Sequence, residues 1–204
     1  MTGRSPGRPR GQAATDTRQL ILAAARRSFA ESGFDGASVR EIAATAGVDA
    51  GLIRHYFTNK AGLLVATMQL PINPLELIGR ALAAGPDGMG ERLLTVFLTT
   101  WDEHCDVFAG LIRTSLASAD RSAPALNIAR SVILPAITES IGGAEAPLRA
   151  SLVMSQIIGV ATLRYVARLE PIADAPIPDV VAWYAPALQT IITPSAVIEI
   201  SSST

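Results

Sequence analysis

The side chains best suited to chemistry lie between residues 38 and 60, and the chemistry they suit is anion recognition. Arg40, Arg54 and Lys60 can neutralise phosphate charge, and Tyr56 can offer a hydroxyl to a phosphate oxygen. Ser38 stands where a helix should begin, with Val39 and Arg40 in its first turn, so a backbone N–H there can meet a phosphate. Ala50, Gly51 and Leu52 open a second short helix. Small residues let a helix approach bases closely, and an apolar side chain can touch a thymine methyl. His55 can contact a groove or stay on the surface. Catalytic signatures are missing: there is no G-x-S-x-G, H-E-x-x-H, P-loop or dinucleotide fingerprint. Asp102, Glu103, His104, Cys105 and Asp106 resemble metal ligands in type. On a helix, however, only residues three or four apart share a face, so neither a metal nor a cofactor is expected.

These residues need two short helices and a tight turn to hold them. Ser38 and Glu41 have the S-x-x-E spacing of a capping box, which predicts a helix over about 39–46. Ile42, Ala43 and Ala46 give it an apolar side. Gly47 falls where the chain must turn with positive φ, and Val48 anchors the turn. Asp49 can cap a second helix over about 50–56. This pattern predicts a helix-turn-helix at 38–57, whose second helix fits the DNA major groove. The implied partner is a double-stranded DNA operator.

A first helix is predicted from about Asp16 to Ser32, closed by Gly33, with Leu20, Ile21, Ala24, Ala25 and Phe29 as its buried stripe. Thr58 or Asn59 should open a fourth helix that runs to about Leu70. Residues 1–14 carry Gly, Pro and Arg without apolar periodicity and read as a disordered basic arm. Within it, Arg8 and Arg10 flank Pro9 in the manner of an AT-hook core, which can lie in a narrow minor groove.

With its flanks, this region resembles the TetR family of transcriptional regulators. The matching runs are Thr17-Arg18-Gln19-Leu20-Ile21-Leu22-Ala23-Ala24-Ala25, Phe29-Ala30-Glu31-Ser32-Gly33-Phe34, Ser38-Val39-Arg40-Glu41-Ile42-Ala43, Ala46-Gly47-Val48 and Tyr56-Phe57-Thr58-Asn59-Lys60-Ala61-Gly62-Leu63-Leu64. Arg54-His55-Tyr56-Phe57 sets the chain in a subset, since the family most often has Tyr where Arg54 stands. The resemblance implies an all-α protein with a three-helix DNA-binding head over 15–75. It also implies a helical effector-binding and dimerisation domain over 76–194, with 195–204 as a tail. It further implies that Lys60 reaches the phosphate backbone, that the chain forms a homodimer, and that a small molecule, of a kind the sequence does not name, releases it from DNA.

Charge is distributed accordingly. The 204 residues carry a net charge of −1, yet residues 1–60 hold nine basic and five acidic side chains. A basic head on an acidic body fits DNA binding at one end. Sixteen of the seventeen basic residues are Arg, which leaves Lys60 as the single lysine. One cysteine, Cys105, excludes an internal disulfide and fits a reducing cytoplasm. The apolar run Ala150–Leu163 reads as too short for a membrane span.

Beyond residue 70, helices are predicted at about 75–84, 89–104, 106–119, 124–141, 146–169 and 178–192, with Pro135 and Pro186 kinking theirs. Phe97, Trp101, Phe108, Met154 and Tyr165 are candidates to line an effector pocket. Leu152, Ile157, Ile158, Val160 and Leu163 on one closing helix, with Val181, Trp183, Tyr184 and Leu188 on the other, are candidates for the dimer face. A sequence-nonspecific or architectural DNA binder is the alternative function, and an enzyme without a recognisable motif is a further one.

Overall fold

The computed structural model describes residues 10–117 and 124–194, which are helical throughout apart from turns. Eleven α-helical segments follow in order: α1 (Arg10–Gly36), α2 (Val39–Ala46), α3 (Ala50–Phe57), α4 (Lys60–Thr67), α5 (Pro74–Leu82), α6 (Met89–Asp102), α7 (Cys105–Ala117), α8 (Pro124–Ile128), α9 (Leu134–Ile141), α10 (Ala146–Ala161) and α11 (Ile177–Ile192). The chain divides into two compact units between Gln69 and Leu70. The sequence places that division near residue 75.

The first unit packs α1 against α2 and α4. Its core holds Ile21, Leu22, Ala25, Phe29, Ile42, Ile53, Phe57, Leu63 and Leu64. Leu20, expected in the stripe, is 55% exposed, and Leu22 takes the inward position. A buried line through 21, 25 and 29 extends to 22 on the same side and leaves 20 outside. α1 begins at Arg10, so the disordered arm does not extend over Arg10–Ala14; Gln12, Ala13 and Ala14 favour helix. Gly33 leaves helical geometry at φ 68 and ψ −177, where the sequence places the end, and one further turn carries on to Gly36. α4 ends at Thr67, before the expected Leu70.

The second unit is built around Leu93, Leu94, Leu98 and Trp101 of α6, Val153 and Ile157 of α10, and Val181, Ala185 and Leu188 of α11. α6 and α11 pack most extensively. Their approach is set by Gly90, where a Cβ would lie 2.9 Å from the Ala185 carbonyl oxygen and 2.9 Å from the Gln189 nitrogen. The Gly90 N–H donates to Gln189 Oε1 at 3.0 Å, and Gln189 Nε2 donates to the Pro86 carbonyl at 3.0 Å. Arg92 closes the α5–α6 turn by donating to the carbonyls of Ala81 (2.8 Å), Asp87 (2.6 Å) and Gly85.

The long helices contain two π-turns. One, Ala129–Ile133, precedes Pro135. A proline lacks an N–H and crowds the carbonyl four residues before it, and widening the preceding turn relieves both effects. The other, Thr162–Val166, continues α10. Ala146–Val166 is therefore a helix of 21 residues whose most apolar stretch has a mean hydropathy of 1.3, long and apolar enough by length and composition alone to cross a membrane. The uncharged run within it, Ala150–Leu163, is shorter and is bounded by Arg149 and Arg164. Ala146, Ala150, Val153, Ile157, Val160 and Ala161 are instead buried against the unit's own helices.

Candidate nucleic-acid interface

The α2–turn–α3 motif forms as its residues require. Gly47 adopts φ 68 and ψ 32, and Val48 N–H returns to the Ala43 carbonyl at 3.0 Å. Ser38 is the N-cap of α2, but its side chain makes no cap hydrogen bond, so the expected capping box does not close. Its hydroxyl is spared for another partner. Asp49 caps α3 by accepting from Gly51 N–H at 2.7 Å. A Cβ at residue 51 would stand 2.8 Å from Asp49 Oδ1, so a larger residue there would need only a small shift of the Asp49 side chain.

Ile53 and Phe57 bury one side of α3. Gly51, Leu52, Arg54 and His55 are exposed, while Ala50 and Tyr56 are half-buried. Gly51 and His55 are four apart, so they stack along the face opposite the core. The His55 ring meets Tyr56 edge-on, with centroids 5.2 Å apart. On α2, Arg40 is exposed and Val39 half-buried, beside the half-buried Ser38.

Lys60 is half-buried at the start of α4. Its Nζ lies 4.6 Å from the Phe34 ring centroid and donates to the Asp35 carbonyl at 3.4 Å. Asn59 caps α4 by accepting from Gly62 N–H at 2.8 Å. The structure therefore gathers Ser38 through Arg40, the α3 face and Lys60 into the first unit. Arg8 and the side chain of Arg10 lie outside the described residues.

The sequence reading missed three members of this unit. Arg18 lies over the Phe57 ring at 5.3 Å. Arg26 Nε donates to the Thr67 carbonyl at 3.0 Å, which closes the end of α4. Phe34 is the platform beneath Lys60. Each joins positions far apart along the chain, and no local pattern reveals such pairs.

Of the effector candidates, Phe97, Trp101, Phe108 and Tyr165 pack into one aromatic cluster, with neighbouring centroids 5.3–6.2 Å apart. Met154 is half-buried and lies outside it. Tyr165 Oη donates to the Leu98 carbonyl at 3.0 Å and lies 3.2 Å from Asp102 Oδ1. Burial, and then the Asp102 carboxylate, push its pKa far upward, so the hydroxyl remains a donor. Arg164 is 8% exposed and pairs with Asp102 at 3.1 Å. Its Nη1 donates to the carbonyls of Ile172 (2.8 Å) and Ala175 (2.7 Å). A separate open groove of about 680 Å³ lies between α6 and α11, lined by Glu91, Thr95, Thr99, Val181 and Gln189 among others. None of the five effector candidates lines it.

The dimer-face expectation is corrected in part. Ile157, Val160, Val181 and Leu188 serve the chain's own core, at 0–7% exposure. Leu152 (43%), Leu163 (42%) and Trp183 (88%) remain outside, joined by Leu148 at 63%, which the sequence reading omitted.

Residues 21–67 match the family model described as bacterial regulatory proteins, tetR family. Residues 87–192 match that described as Tetracyclin repressor-like, C-terminal domain. The chain is 32% identical to the HTH-type transcriptional repressor AcnR of Corynebacterium glutamicum, over 52% of this chain and 68% of that protein. It is 33% identical to the HTH-type transcriptional regulator BetI of Burkholderia thailandensis, over 49% of this chain and 51% of BetI, so it spans about half of that relative. A crystal structure of a TetR-family regulator from Streptomyces coelicolor A3 is 38% identical, covering 94% of this chain and 99% of the other, with a TM-score of 0.43.

Proposed function

The chain belongs to the TetR family of bacterial regulators, and we propose that it is a cytoplasmic repressor that binds a palindromic operator as a homodimer and leaves it when a small apolar effector binds. The observation that carries this reading is the outer face of α3. Gly51, Leu52, Arg54 and His55 face outward from a helix that Ile53 and Phe57 pin to the core. Flat access at Gly51 and the Arg54 cation on the same short helix suit the major groove and its phosphates. The Arg54-His55-Tyr56-Phe57 run supports reading the chain as one of a recognition-helix subset of that family.

For assembly, Leu148, Leu152, Leu163 and Trp183 supply an apolar surface on α10 and α11 and their continuation. A second copy covers such a surface by isologous packing. The effector acts in the second unit, and it shifts DNA affinity only by as much as it distinguishes the bound and free states. Footprinting on the regulated promoter tests the reading. A short protected palindrome is expected, whereas diffuse protection without a repeat favours the nonspecific binder.

A further inference from the structure

We propose that Phe34, together with the Asp35 carbonyl, is a positioning residue that holds the Lys60 ammonium ready for one DNA phosphate in each half-site. The inference rests on reading the first unit as an operator-binding head.

Lys60 Nζ stands 4.6 Å from the Phe34 centroid, well within the range in which a cation is held by a ring face. It donates to the Asp35 carbonyl at 3.4 Å. An ammonium has three N–H donors, and these two contacts leave one for another acceptor. Both partners are neutral, and among the described residues no carboxylate pairs with Lys60. The side chain is thus fixed without losing its charge. A carboxylate partner would have fixed it equally well and cancelled the attraction for phosphate.

The platform is itself supported. Phe34 stacks on Phe29, with centroids 6.1 Å apart and planes inclined by 19°, and Phe29 is buried. Gly33, at φ 68, bends the chain so that Phe34 and Asp35 face the start of α4. A lysine left free would lose its rotamer freedom on meeting DNA, and pre-positioning removes that cost beforehand.

The test is a double-mutant cycle on the full-length protein, using the operator fragment defined by footprinting and a range of salt concentrations. Lys60→Ala should weaken binding and lower the slope of log K against log salt by about 0.9 per half-site. Phe34→Leu should weaken binding about two- to fivefold per half-site, the scale of an exposed cation–π contact, with the salt slope unchanged. Phe34→Tyr, which keeps the ring, should bind like the parent. In the Lys60→Ala background, Phe34→Leu should cost nothing further. If Phe34→Leu costs the same factor in both backgrounds, Phe34 acts through the fold and the positioning role is overturned. If Lys60→Ala alters neither affinity nor slope while the operator is still bound, the phosphate contact fails and the proposal fails with it. If no variant, the parent included, binds a defined operator, the operator-binding reading itself is what fails.

Discussion

Arg54 is exposed on α3, and among the described residues no hydrogen bond or ion pair holds its side chain. An arginine there can meet either a phosphate or a guanine edge, and the two differ in what their loss does. Arg54→Ala should remove about 1–3 kcal/mol of discrimination at one position of each half-site, read from affinities for a panel of single-base operator variants. A common factor across the panel would instead make Arg54 a phosphate contact and leave readout to Ala50, Leu52, His55 or the arm. Gly51 donates its N–H to the Asp49 cap, and its missing side chain leaves the centre of the α3 face flat.

Among the elements, the π-turn Thr162–Val166 places two consecutive residues, Arg164 and Tyr165, on the inside. Both then reach Asp102 of α6, and Arg164 also satisfies two carbonyls of the 172–175 segment. Arg164→Met should destabilise the protein by about 2–4 kcal/mol in denaturant unfolding. The lower end reflects Asp102, which is 45% exposed and partly keeps water as its partner. Unchanged stability would mean that the 172–175 loop finds its donors elsewhere. Helix existence and turn chemistry were legible in the sequence, because capping residues, glycines and apolar periodicity are local signals. Gly47, Asp49 and Asn59 all do what their types predict. What escaped was set by distance along the chain. Ile157, Val160, Val181 and Leu188 looked like surplus apolar residues, but the second unit's own core takes them in. Leu20 looked buried by period, and Ser38 looked paired with Glu41, yet the packing of α1 and the geometry of the α2 cap decided otherwise.

At the scale of the molecule, two readings depend on a second copy: palindromic binding, and the covering of Leu148, Leu152, Leu163 and Trp183. An 88% exposed tryptophan on a regular helix is a large apolar area left to water. Trp183→Arg combined with Leu152→Arg should therefore yield a folded monomer by light scattering, with operator affinity lost at concentrations where the parent binds. A double variant that stays dimeric would move the interface to another surface. Within the second unit, the Gly90–Gln189 clamp has a mechanical consequence. It ties the first turn of α6 to α11 by direct backbone approach and by a glutamine bonded to both Gly90 and Pro86. The other end of α6 carries Trp101 and Asp102, which the aromatic cluster and Arg164 hold in turn. The helix is therefore fastened at both ends, about 18 Å apart from Gly90 to Asp102. It is a strut rather than a hinge: a push at one end is passed on as a shift of the whole helix.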